Sequence, residues 1–148
     1  MIKILFVCMG NICRSPSGEA VMNAKIKDAG LQDKISCDSA GTIAYHEGEA
    51  ADARMQKHAL KRGYNLTSIA RQIKNHDFDN FDYIIAMDSD NYRNILALDP
   101  SGKYKSKIFM MMDFGTQYDE KNVPDPYYGG EQGFEYVLDL LEDACSGL

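Results

Sequence analysis

The run Ile2-Lys3-Ile4-Leu5-Phe6-Val7-Cys8 constrains this chain more than any other segment. Apart from Lys3 it is apolar and β-rich. Such a run suits a strand covered on both faces, the middle of a parallel sheet, rather than a strand with one wet face. It is too short to span a membrane. Gly10-Asn11 and Arg14 follow at once, without the cleavage site of a secretory leader. The expected compartment is the cytoplasm, where thiols stay reduced. Cys8, Cys13, Cys37 and Cys145 are then expected as free thiols, the last two as small buried apolar side chains.

Downstream, helical and strand-like segments alternate. Ser15 could cap a helix with Pro16 at its first position, running to Ala29 and stopped by Gly30. Ile35–Ser39 reads as a second strand ended by Ala40-Gly41, Glu49–Arg62 as a helix and Asp82–Met87 as a third strand. Asp88-Ser89 caps a helix to about Leu98, Asp99–Gly102 breaks the chain, and Lys107–Met111 is a fourth strand. Val123–Gly130 is a loop, and Glu131–Ala144 a final amphipathic helix. With 148 residues, the chain is expected to form one domain over 1–148 around one core. The alternation implies an α/β fold of three layers: a four-stranded parallel sheet with helices on both faces. In such sheets ligands bind beyond the carboxyl ends of the strands, which directs attention to the loop after the first. A net charge of −6 argues against nucleic acid as a partner.

That loop is Cys8-Met9-Gly10-Asn11-Ile12-Cys13-Arg14-Ser15. Gly10 and Asn11 tolerate the positive φ of a tight curl. Curling turns backbone N–H groups inward, and the helix start adds partial positive charge, so the loop suits a tetrahedral anion such as phosphate. Arg14 offers a planar fork for two phosphate oxygens. The same field is expected to lower the pKa of Cys8 and make it a nucleophile, with the Ser15 hydroxyl donating to its sulfur. Met9, Gly10, Asn11, Ile12, Cys13 and Ser15 are candidates for binding substrate. A nucleotide-binding phosphate loop would need Lys-Ser or Lys-Thr here, and neither is present.

Phenolate leaves poorly because its acid has a pKa near 10, so an aryl phosphate needs a positioned proton donor. Asp125, held between Pro124 and Pro126, is the candidate, with Tyr127 and Tyr128 able to flank the ring. Asp88, Asp90 and Asp99 read instead as helix caps and turn residues, although Asp88 ends the third strand on the same side.

Cys8 to Pro16, taken with Asp125-Pro126-Tyr127-Tyr128, resembles the low-molecular-weight protein tyrosine phosphatases. The likeness extends to Asp38–Gly41, Ala70-Arg71-Gln72, Phe81–Ile84 and Met87-Asp88, and covers nearly the whole chain. The resemblance implies hydrolysis of phosphotyrosine and small aryl phosphates in two steps through a phosphocysteine, without metal or organic cofactor. It implies Cys8 as nucleophile, Arg14 as clamp, and Asp125 as acid and then base. Asn11 and Ser39 match positions that brace the loop, Ser15 the hydroxyl that steadies the thiolate, and Tyr45 an aromatic position near the pocket mouth. Cys13 matches a second cysteine that can trap the oxidised nucleophile as a disulfide, a redox-sensitive device. The implied partners are phosphotyrosine proteins, with an autophosphorylating tyrosine kinase as one candidate, met by a monomer that binds no membrane.

Three other readings share some of these residues. Arsenate reductase uses a similar loop but needs further cysteines, and none lies between Cys37 and Cys145. Protein arginine phosphatases tend to carry Thr and Phe where this chain has Ile12 and Tyr127. A phosphotyrosine-binding module or a Cys8–Cys13 redox switch would not need Asp125. For zinc, Cys8 and Cys13 lack a second ligand pair, and His46, His58 and His76 read as surface residues.

Overall fold

The structure, a computed structural model, describes residues 1–127 and 131–148. Four strands, β1 (Ile2–Cys8), β2 (Ile35–Gly41), β3 (Tyr83–Ala86) and β4 (Ile108–Met110), form one sheet in the order β2-β1-β3-β4. All three pairings are parallel. The helices are α1 (Arg14–Asp28), α2 (Ala53–Lys61), the short α3 (Asp77–Asn80), α4 (Ser89–Ala97) and α5 (Glu131–Gly147).

The apolar run of β1 is buried from Ile4 to Cys8 because both sides of that strand are covered. Ile4, Phe6 and Cys8 pack with Val21 and Met22 of α1, Met55 of α2, and Val137, Leu138 and Leu141 of α5. Leu5 and Val7 point the other way, toward Phe78 of α3 and Ile95 of α4. Fully burying such side chains contributes roughly 1.5–3 kcal/mol each. β1 is therefore the shared wall of two apolar layers. With β2 on one side of it and β3 on the other, a crevice opens at their carboxyl ends.

Gly18, which costs helix propensity, has a packing reason: a Cβ there would lie 3.0 Å from Met87 Cε and 3.3 Å from Phe6 Cδ1. Its absence lets α1 sit close against the sheet.

Several boundaries differ from the sequence reading. α1 begins at Arg14, so the residue before it is Cys13, whose side chain makes no capping bond. Ser15 is inside the first turn, and its hydroxyl is turned elsewhere. Pro16 in that turn forfeits nothing, because the first N–H groups of a helix have no intrahelical partner. α2 starts at Ala53 rather than Glu49, where Asp52 accepts from the N–H groups of Arg54 and Met55. Residues 49 and 50 are drawn away instead: Ala70 N donates to Glu49 O, and Ala50 bridges Ile69. α3 and two 3₁₀ turns, Lys105–Lys107 and Met111–Phe114, carried no periodic signal short enough to announce them. His58 is buried, not a surface residue; it stacks on Phe134 at 5.4 Å and bonds Glu135. Cys145 is buried as expected, whereas Cys37 is only half-buried and donates to Asn23 Oδ1. No helix among the described residues is long and apolar enough to cross a membrane.

Candidate active site

At the end of β1 the chain turns sharply through Asn11, a non-glycine residue with φ of +58°. Gly10 does not take the left-handed conformation; Asn11 does, and its side chain secures it. Asn11 Nδ2 donates to Ser15 Oγ at 2.8 Å, while Asn11 Oδ1 accepts from Arg71 N at 3.0 Å. The N–H of Asn11 points back at Cys8 Sγ, 3.3 Å away. Ser15 Oγ lies 3.0 Å from the same sulfur and 3.4 Å from Ala40 O. Because Ser15 already accepts from Asn11, its one proton is left for the sulfur or that carbonyl.

β2 runs on beside the loop, with Thr42 N donating to Cys8 O and Ile43 N to Met9 O. This approach requires Gly41, where a Cβ would fall 2.8 Å from Met9 O. Ser39 does not reach the loop. Its hydroxyl donates to Glu19 Oε1 at 2.7 Å, so it ties β2 to α1 instead of bracing the loop as the resemblance suggested.

Arg14 is almost fully buried, with 3% of its side chain exposed. Nη1 donates to Asp88 Oδ2 at 2.6 Å and to Val123 O at 2.9 Å. Burial alone would lower its pKa, but the charges of Cys8, Asp88 and Asp125 outweigh that and hold it above the ordinary arginine value. Asp88 does cap α4, as the sequence indicated, through Asn91 N. Its other oxygen anchors the guanidinium, a role that sequence reasoning missed. The available signal was its position at the carboxyl end of the strand beside β1.

Asp125 is brought to the site from far along the chain. Val123 N donates to Met87 O just past β3, which seats the segment over the carboxyl end of the sheet. Tyr127 N then donates to Asp125 Oδ1 at 3.0 Å, and Asp125 Oδ2 faces Arg14 Nη2 at 3.7 Å. Its side chain is 30% exposed. Burial, with Asp52, Cys8 and Asp125 nearby, drives the Cys13 thiol far above the ordinary cysteine range. Cys8 and Cys13 are both free thiols.

A cavity of about 320 Å³ is lined by Cys8, Met9, Gly10, Ile12, Cys13, Arg14, Ile43, Tyr45, His46, Asp125 and Tyr127. Tyr45 stands at its mouth, 81% exposed, with its ring 4.8 Å from that of His46. His46 also faces the Tyr127 ring at 6.1 Å. His46, read from the sequence as a surface residue, instead lines the cavity with its side chain largely covered, and Ile43 joins it there although no local pattern marked it. Asn11 and Ser15 support the loop from behind, and Tyr128 lies outside the described residues. No group of three or more His, Cys, Asp or Glu side chains among the described residues could hold a metal ion. The floor of the cavity thus holds a sulfur and a guanidinium, and its rim holds a carboxyl and aromatic rings. That arrangement can grip an anion, attack it and supply a proton to the group it carries.

A family model described as low molecular weight phosphotyrosine protein phosphatase matches residues 3–148. A Synechocystis protein named for the low molecular weight protein-tyrosine-phosphatases is 57% identical over 99% of this chain and 94% of its own. The crystal structure of a protein tyrosine phosphatase from Entamoeba histolytica, with Hepes in its active site, superposes with a TM-score of 0.96 at 56% identity. That match covers 99% of this chain and 94% of the other. YfkJ from Bacillus subtilis superposes with a TM-score of 0.92 at 39% identity, over 99% and 91%.

Proposed function

The chain belongs to the low molecular weight phosphotyrosine protein phosphatase family, and on that premise we propose that it hydrolyses phosphotyrosine through a covalent phosphocysteine on Cys8. It is a protein tyrosine phosphatase; the mechanism and the residue roles are what the geometry supports. Cys8 Sγ attacks phosphorus, the bond to the tyrosine oxygen breaks, and Asp125 gives its proton to that oxygen. Water then attacks phosphorus, Asp125 takes up its proton, the S–P bond breaks, and the Cys8 thiolate returns with release of phosphate. Charge on the transferring oxygens is met by Arg14, already fixed by Asp88 and Val123. Ser15, 3.0 Å from the sulfur, stabilises it as a leaving group.

The single observation that carries this reading is that Cys8, Arg14 and Asp125 line one cavity. Tyr45 and Tyr127 on its rim suit an aryl group. The substrates in this reading are phosphotyrosine proteins of the cytoplasm, an autophosphorylating tyrosine kinase among them, and the enzyme acts as a monomer. In this reading Cys13, a free thiol on the same loop, traps an oxidised Cys8 as a disulfide. The test is rapid acid quench with phosphorus-labelled aryl phosphate. Label should appear on Cys8 of the parent and be missing from Cys8→Ser. Full turnover with no labelled cysteine at any quench time would remove the covalent step.

A further inference from the structure

The segment carrying Asp125 is fastened on its upstream side by Val123, whose N–H and carbonyl meet Met87 and Arg14. Its downstream side is fastened by a residue outside that segment. Arg54 Nη2 donates to Tyr127 O at 3.0 Å, and the guanidinium lies 5.3 Å over the Tyr127 ring and 5.0 Å over that of Phe134 in α5. The same guanidinium is held from behind by Asp52, through Nε at 3.3 Å and Nη2 at 3.0 Å. Asp52 is in turn fixed to the nucleophile loop, since its N–H donates to Ile12 O at 2.8 Å. Tyr127 N ends the chain of contacts on Asp125 Oδ1.

A continuous path therefore runs from the loop that holds the sulfur, through Asp52, Arg54 and Tyr127, to the carboxyl group. We infer that Arg54 is a positioning residue for the reaction: it sets the distance and direction of Asp125 relative to Cys8 by clamping the far side of the Asp125 segment. The ion pair with Asp52 is half exposed on the arginine side and does little for stability by itself. Its geometry is what matters, because a fork bonded to a carboxylate on one side and a carbonyl on the other fixes both at once. Arg54 touches neither phosphate nor sulfur in this scheme.

The inference rests on the reading of Asp125 as the proton donor. The experiment measures kcat/KM for aryl phosphates with leaving groups from dinitrophenol to phenol, comparing the parent, Arg54→Met, Arg54→Lys and Asp125→Ala. Misplacing a donor by a fraction of an ångström should lower phenyl phosphate turnover about tenfold in Arg54→Met. The dinitrophenyl ester, which needs no proton, should change less than about twofold. Inhibition by inorganic phosphate and the urea midpoint should match the parent. Arg54→Lys, which keeps a cation over both rings, should fall between. An equal loss across all leaving groups, or no loss, in Arg54→Met while Asp125→Ala shows the steep dependence would overturn the role of Arg54 alone. No leaving-group dependence in Asp125→Ala would overturn the donor assignment, and the inference with it.

Discussion

In the loop after β1, the side chains of Asn11, Arg14 and Ser15 are buried, and each bonds a neighbouring element or another loop residue. Across the cavity, Asp125 is exposed between buried Val123 and Pro126, in a segment held through Val123 and Tyr127. The two regions meet at one site but obey different demands. On the proposed mechanism the loop must keep a sulfur, a hydroxyl and an arginine in fixed register while charge moves among them, and the fold surrounds it. On the same mechanism the carboxyl group must approach leaving groups that differ from substrate to substrate, and a segment tethered at both ends allows this. Damage to the first region should therefore appear in stability and chemistry together, and damage to the second in chemistry alone.

The contrast can be broken at either end. Cys8→Ser should lower p-nitrophenyl phosphate turnover by on the order of 10⁴-fold or more while inorganic phosphate still binds, as a steady-state assay and a phosphate titration would show. Turnover near the parent level would detach the sulfur from the reaction. Asp125→Ala should cost about 10²–10⁴ in kcat/KM for phenyl phosphate and far less for dinitrophenyl phosphate, with the free energy of urea unfolding moved by less than about 0.5 kcal/mol.

Asn11→Ala should behave in the opposite way. It removes bonds to Ser15 and Arg71 and places alanine at a φ of +58°. The expected loss is about 1–3 kcal/mol in urea unfolding; if both variants lost equal stability, the contrast would be false. The smallest effect lies behind the loop, at Glu19. Burial raises its pKa above the ordinary glutamate value, although the Ser39 hydroxyl bond opposes the rise. The folded state then binds this proton more tightly than the unfolded chain, so the contribution of Glu19 to stability falls as pH rises through the raised value. Glu19→Gln should be more stable than the parent above the raised value, and urea unfolding over a pH series should show the gap closing as pH falls below it. A gap that widens on acidification would reverse the sign.

The loop was legible in the sequence because its chemistry is local: apolar strand, cysteine, left-handed asparagine and arginine follow one another within a single turn of chain. Asp125 was legible only through its flanking prolines, and its arrival at the cavity depends on the Val123–Met87 bond. Asp88 was read as a helix cap and no more. Its bond to Arg14 exists only once β3 pairs beside β1, a contact no local pattern encodes. His58 looked exposed for the same reason: Phe134 and Glu135, which cover and bond it, come from the last helix. The four strands followed from alternation and apolar content, whereas their order in the sheet appeared only in the structure and helix starts depended on which residue the first loop or the 49–50 bridge claimed.

The bonds from Arg14 Nη1 to Asp88 and Val123 have a thermodynamic consequence for the ligand. A free arginine surrenders up to about 2 kcal/mol of rotational freedom when it is immobilised. Here that loss falls on folding, so an arriving dianion meets a side chain with nothing left to freeze. Its association should then be limited by shedding water, and calorimetry of oxyanion binding should show little of the entropic penalty that a floppy cation would impose.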